Sequence, residues 1–140
     1  MSADFLDSNV LIYLVDEADA VKHAAARDLV HDALRNGTGV ISFQVVQETL
    51  NVLTRKLKVI ARTEDAEYFM QQTLMPLWRV QPSAALYAAA MQIQQRQGFG
   101  FYDSLIVAAA LEAGCRRLLS EDLQHGQRIG KLRIENPFQA

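Results

Sequence analysis

FLDSNVLIYL, residues 5–14, runs from an apolar pair, Phe5 and Leu6, into a carboxylate, Asp7, then through two small polar residues, Ser8 and Asn9, and back into apolar sequence. A short strand that ends on an acid and turns at once into a helix is the entry unit of an open parallel sheet, where ligands bind beyond the carboxyl ends of the strands. Capping is the plain alternative for Asp7, because Asp, Ser and Asn all accept hydrogen bonds from orphan helix N–H groups. Ser8 fills a cap equally well, which leaves Asp7 one residue early, at the strand terminus.

Outward from this stretch, strand-like runs alternate with longer helical patterns, as expected of an α/β domain whose mainly parallel sheet needs helical crossovers. The pattern predicts strand one at about Asp4 to Leu6, then helices at about Asn9 to Val15 and Ala20 to Arg35. Residues 36–39, Asn-Gly-Thr-Gly, turn the chain into a second strand around Val40 and Ile41. Ser42 caps a helix running to about Lys58, and Thr63 caps another that stops before Pro76. LWRVQ (77–81) is a third strand, and Pro82-Ser83 opens an alanine-rich helix ending near Gly98. After GFG comes a helix from about Tyr102 to Ala113, then a fourth strand in RRLLS (116–120) and a fifth at Leu132 to Ile134. The absence of an internal repeat, linker or low-complexity tract predicts one domain over residues 1–140.

Half of the 140 residues are hydrophobic, and a chain of this length buries on the order of 70% of its unfolded surface. Fourteen basic against sixteen acidic residues give a net charge of −2, which supplies no long-range attraction for a polyanion. The single cysteine, Cys115, cannot form an internal disulfide, and no Cys/His spacing suggests zinc. The start lacks a signal-peptide pattern, and Val10 to Val15 is far shorter than the roughly 20 apolar residues of a bilayer span. These features predict a soluble cytoplasmic protein.

Acids recur where the strands end. Asp7 follows strand one, Glu48 lies in the helix after strand two, Asp103 opens the helix before strand four, and Ser120-Glu121-Asp122 follows strand four. By periodicity alone Glu48 falls just past the apolar stripe of its helix, as a solvated surface acid does. Asp103 aligns with Ile106, Val107, Ala110 and Leu111, which predicts a carboxylate on the inward stripe, where burial without a partner costs roughly several kcal/mol. Ser120 is a ready N-cap, and either Glu121 or Asp122 serves as a first-turn acid. Gathered in one crevice these carboxylates would repel one another unless a multivalent cation neutralised them, and all-oxygen donors select Mg²⁺ or Mn²⁺. Such a site suits phosphodiester hydrolysis and gives an acidic pocket a way to hold an anionic substrate.

The chain resembles the PIN-domain nucleases, and more narrowly the VapC-type toxin ribonucleases of toxin–antitoxin pairs. The likeness runs from FLDSNVLIYL through SFQVVQETLNVL and FYDSLIVAAALEAGC to LLSEDLQHGQRIGKLRIENPF. It implies a PIN-like α/β/α sandwich, with four acids binding Mg²⁺ or Mn²⁺ and cutting RNA. Those acids fall on Asp7, Glu48, Asp103 and Asp122, with Asn9 and Ser120 as supporting polar residues and Glu121 as a neighbour that contests the fourth position. The resemblance also implies an antitoxin partner and a homodimer. Two other classes compete: a non-catalytic PIN-like module that binds RNA or protein, and a Mg²⁺-dependent phosphatase of the Asp-x-Asp type, which Asn9 at the second position disfavours.

The remaining features carry plainer expectations. Arg55, Lys56, Lys58 and Arg62 form the densest basic cluster in sequence, favourable at a helix C-terminus, with RNA phosphate contact as the alternative. The aromatics of GFGFY (98–102) either close the core or stack a splayed base. His23, His31 and His125 are expected at the surface, and Trp78 in the core.

Overall fold

The computed structural model describes residues 2–55 and 62–139. Six strands among them form one sheet: β1 (Asp4–Leu6), β2 (Gly39–Ser42), β3 (Trp78–Val80), β4 (Arg117–Leu119), β5 (Arg128–Ile129) and β6 (Leu132–Glu135), in the order β3-β2-β1-β4-β6-β5. All pairings are parallel except β5 with β6, which forms an antiparallel hairpin at one edge. The helices are α1 (Ser8–Ile12), α2 (Ala20–Asn36), α3 (Phe43–Arg55), α4 (Thr63–Phe69), α5 (Met75–Leu77), α6 (Ala84–Gln97) and α7 (Phe101–Glu112). α6 packs along α7, and α1 lies against α3. The mainly parallel α/β architecture read from the alternation is therefore the one observed.

Strand order decides where the site lies. From β1 the chain steps outward through β2 to β3, then returns to place β4 on the other side of β1. The reversal falls between β1 and β4, so their carboxyl ends splay into the crevice that such a switch point creates. Asp7 follows β1 and Ser120 follows β4, and the backbone ties them: Asp7 N–H donates to Leu119 O at 3.0 Å. Beneath this edge the strands are apolar on both faces, as a covered parallel sheet requires, with Phe5, Leu6, Ile41, Leu118 and Ile134 wholly buried.

Several local expectations change. Asp7, not Ser8, is the N-cap of α1, with extended backbone and an oxygen accepting from Ser8 N–H. Thr63 makes no cap bond; Arg62 occupies the cap position, with its guanidinium paired to Glu64. The chain does not stop before Pro76. A π-helical turn, Met70–Leu74, joins α4 to α5 without a break, and Pro76 follows directly on that turn, where the wider i to i+5 spacing, seen in the Met75 N–H bond to Met70 O, replaces regular α-helical bonding. The expected single fifth strand is β6 of a two-strand hairpin. Trp78 is half-buried against the core, and its Nε1–H donates to Val80 O at 3.1 Å. The end of the helix at Lys58, and Lys56 itself, lie outside the described residues.

Gly39 opens β2 where α2 and α5 crowd it. A Cβ there would stand 2.8 Å from Leu77 Cδ2 and 2.9 Å from Ala33 Cβ. Gly39→Ala is therefore expected to destabilise the fold by about 1–3 kcal/mol through overpacking, read from the denaturation midpoint. An unchanged midpoint would contradict the close approach.

Candidate functional site

Asp7 is the fixed point of the crevice. It is only 6% exposed, and its two carboxylate oxygens are held from opposite sides, by Ser8 N–H at 2.7 Å and by the Ser120 hydroxyl, which donates at 2.7 Å. Ser120, itself fully buried, also accepts from Asp122 N–H at 3.1 Å and from Asn9 Nδ2 at 3.3 Å. Asn9 Nδ2 donates in addition to Asp122 Oδ2 at 3.1 Å, and Asn9 Oδ1 accepts from Glu121 N–H at 3.4 Å. One turn of α1 and one turn after β4 are thus stitched together by Asp7, Asn9, Ser120 and Asp122. The polar pair that interrupts FLDSNVLIYL is what makes this stitching possible.

The adjacent acids Glu121 and Asp122 separate cleanly. Glu121 turns away from the crevice to accept from the Tyr13 hydroxyl at 2.7 Å and from Lys22 Nζ at 3.0 Å. Asp122 faces the other acids, and its charge raises the pKa of Asp7, Glu48 and Asp103. Tyr13 and Lys22 carry no motif, and nothing in the local sequence marks them as the partners that fix this choice.

Glu48 is not the solvated acid that periodicity predicts. It is half-buried on α3, where Gln44 Nε2 approaches its Oε2 at 3.5 Å. Gln44 Nε2 also donates to Tyr102 O at 3.2 Å, so one buried amide holds Glu48 and the start of α7 together across the crevice. Gln44 gives no signal in sequence beyond its place in SFQVVQE.

Asp103 departs from expectation in the other direction. It stands exposed at the crevice mouth rather than on a buried stripe. Every residue from Ser104 to Ala110 is buried, so α7 is covered all round and has no single inward face for Asp103 to share. The GFGFY aromatics divide between their two roles: Phe101 packs against the core, while Tyr102 is 68% exposed beside Asp103.

Burial, followed by repulsion from Glu48 and Asp122, pushes Asp7 up to about 6, against the pull of its hydrogen bonds from Ser120 and Ser8. Glu48 is raised chiefly by desolvation and then by Asp103 and Asp122, and Asp103 by desolvation and then Asp122. Among the described residues no lysine or arginine pairs with any of these four acids, although six pairs between a lysine or arginine and a carboxylate form elsewhere. The donor set, all carboxylate with amide and hydroxyl support, fits a hard divalent cation. As placed, no three acidic, His or Cys side chains among the described residues already surround a common point.

The family model described as "PIN domain" matches residues 5–130. No curated protein matches the chain significantly. Among solved structures, VapC20 of Mycobacterium tuberculosis, a Sarcin-Ricin loop cleaving toxin, aligns with TM-score 0.60 at 20% identity over 83% of this chain and 87% of that one. VapBC2 from Rickettsia felis, bound to a DNA fragment from their promoter, aligns with TM-score 0.67 at 20% identity over 96% and 98%. FitAcB from Neisseria gonorrhoeae aligns with TM-score 0.62 at 17% identity over 98% and 99%. At these identities the likeness establishes a shared fold.

Proposed function

We propose, from the premise that this chain belongs to the PIN-domain family, that it is a Mg²⁺- or Mn²⁺-dependent endoribonuclease and the toxin of a toxin–antitoxin pair. The observation that carries this reading is the convergence of Asp7, Glu48, Asp103 and Asp122 on one crevice, with no cation among the described residues to neutralise them. The VapC20 toxin and the VapBC2 complex, which share the fold, lend support to RNA cleavage and to an antitoxin partner. A homodimer belongs to the same reading.

In this proposal the four acids hold the ion and Asn9 and Ser120 hold the acids. Asp7, clamped on both oxygens, is the anchor, Asp122 is held toward it by Asn9, and Asp103 stands exposed at the mouth. When bound, the cation supplies charge neutralisation, polarisation of the scissile phosphate and a lowered pKa for the attacking water. Ser120 fixes the orientation of Asp7 by donating to it, while Asn9 Nδ2, donating to Asp122 Oδ2, keeps Asp122 turned toward the crevice. Tyr102 offers an exposed ring at the mouth, positioned for a splayed base.

The test is to map new RNA ends after brief expression of the wild type, and after incubation of purified protein with single-stranded RNA in Mn²⁺ or in EDTA. Discrete cuts that require the divalent ion are expected. The alternative is a non-catalytic PIN-like module that binds RNA without cutting it. RNA that is bound but never cut in Mn²⁺ would decide for it.

No helix among the described residues is long and apolar enough to cross a membrane.

A further inference from the structure

Five of the chain's fourteen lysines and arginines gather at the end of the strands opposite the acid crevice. There a cavity of about 550 Å³ is lined by Arg116, Arg117, Arg128, Lys131, Arg133 and Glu135. Register brings them together. Arg117 of β4 is the partner of Arg133 on β6, and Arg133 is the partner of Arg128 on β5, so three arginines stand in one row across three strands. Like charges facing each other across strands destabilise a sheet.

Two carboxylates relieve part of this. Asp4 and Glu135 pair with Arg117, and Glu135 also meets Arg133 at 3.4 Å. Among the described residues Arg116, Arg128 and Lys131 form no ion pair, and all three are exposed. Protection of a sheet edge accounts for charge on β5 and its turn, namely Arg128 and Lys131. It does not account for Arg117 and Arg133, which sit on interior strands, or for Arg116 beside them.

We propose that this cavity is a phosphate-binding site, distinct from the acid crevice, that holds the sugar-phosphate backbone of the RNA strand cut at the crevice. Its identification with substrate RNA rests on the nuclease reading; its anion chemistry does not. Guanidinium groups match phosphate oxygens in paired hydrogen bonds. The lining offers no aromatic or large apolar side chain, so it lacks the buried anchors on which protein partners depend. It also lacks rings to stack on bases, so the contact is sequence-independent, and it answers how a chain of net charge −2 retains a polyanion.

Binding of labelled single-stranded RNA is measured in EDTA, where cleavage is not at issue, for wild type and for R116A/R128A/K131A. Affinity is expected to fall at least about tenfold, and the slope of log K against log salt to lessen by about 2, as three lost phosphate contacts require. In Mn²⁺ the same variant is expected to raise KM with kcat held. Lys131→Glu, a single exposed change, serves as a second variant, and matched melting curves confirm folding. Unchanged affinity and slope would overturn the proposal. So would duplex DNA binding tighter than RNA through the same cations, or polyglutamate displacing RNA at equal concentration. Cation-dependent RNA binding by a wild type that cuts no RNA would support the cavity while the nuclease reading failed.

Discussion

Asp7→Asn is expected to make the metal-free protein more stable at pH 7 and, in the same molecule, to abolish RNA cleavage. Asp7 titrates at about 6 in the fold against an ordinary 3.8, chiefly because burial disfavours its charge. At roughly 1.4 kcal/mol per unit, holding it ionised costs on the order of 3 kcal/mol. The sign follows from proton counting. Between about pH 4 and 6 the folded state binds the proton that the unfolded state has released, so this contribution is fully present below 3.8 and is lost as pH rises through 6. An amide removes the charge but accepts more weakly from Ser120, leaving a gain of about 2 kcal/mol and a melting temperature roughly 5 °C higher. Melts in EDTA from pH 4 to 8 check this: the wild type should lose stability with rising pH more steeply than the variant, which keeps a residual slope of the same sign from Glu48 and Asp103. Cleavage should fall by more than about a hundredfold, beyond what loss of a ligand's supporting partner typically costs. A variant that melts below the wild type at pH 7 would make Asp7 a structural cap and deprive the crevice of its anchor.

What was legible in the sequence was what is decided locally. Phe5-Leu6-Asp7 spells a strand delivering an acid, and β1 ends where that phrase predicts. Ser83 and Gly98 bound α6 because both act through their own backbone neighbourhood, Ser83 by accepting from Leu86 N–H and Gly98 by its left-handed φ of 75°. Choices made by distant packing were not legible. The side of α3 that Glu48 occupies is solvent or crevice depending on where α7 starts, and the Gln44 link to Tyr102 fixes that. Asp103 was misplaced because α7 is apolar all round, so its periodicity carries no direction. Glu121 and Asp122 are equivalent neighbours until Tyr13 and Lys22, about a hundred residues earlier, claim one of them. The basic cavity was invisible for the same reason: Arg117, Arg128 and Arg133 become a cluster only through the registers of β4, β6 and β5, whereas the cluster that sequence does show, around Arg55, falls partly outside the described residues.

Mn²⁺ or Mg²⁺ is expected to raise the melting temperature of the wild type with concentration, and that of Asp103→Asn much less. A cation that binds only the folded state adds stability of about 2.7 kcal/mol at a hundred times its Kd, enough for a shift of several degrees. Asp103 is the informative position because its side chain is exposed, so its loss leaves the core untouched. Its carboxyl is raised by partial desolvation and by Asp122, so the neutral amide should leave the metal-free melting point equal or higher. A smaller metal shift then reports a lost ligand and not a damaged fold. The shift should also shrink as pH falls below about 6, where Asp7 holds a proton that the ion must displace. Asp32→Asn, which removes an exposed carboxylate paired to Arg35 on α2, is the charge-matched control and should behave as wild type. Equal shifts in wild type and Asp103→Asn would place the cation elsewhere, and with it the chemistry that the four converging acids are proposed to support.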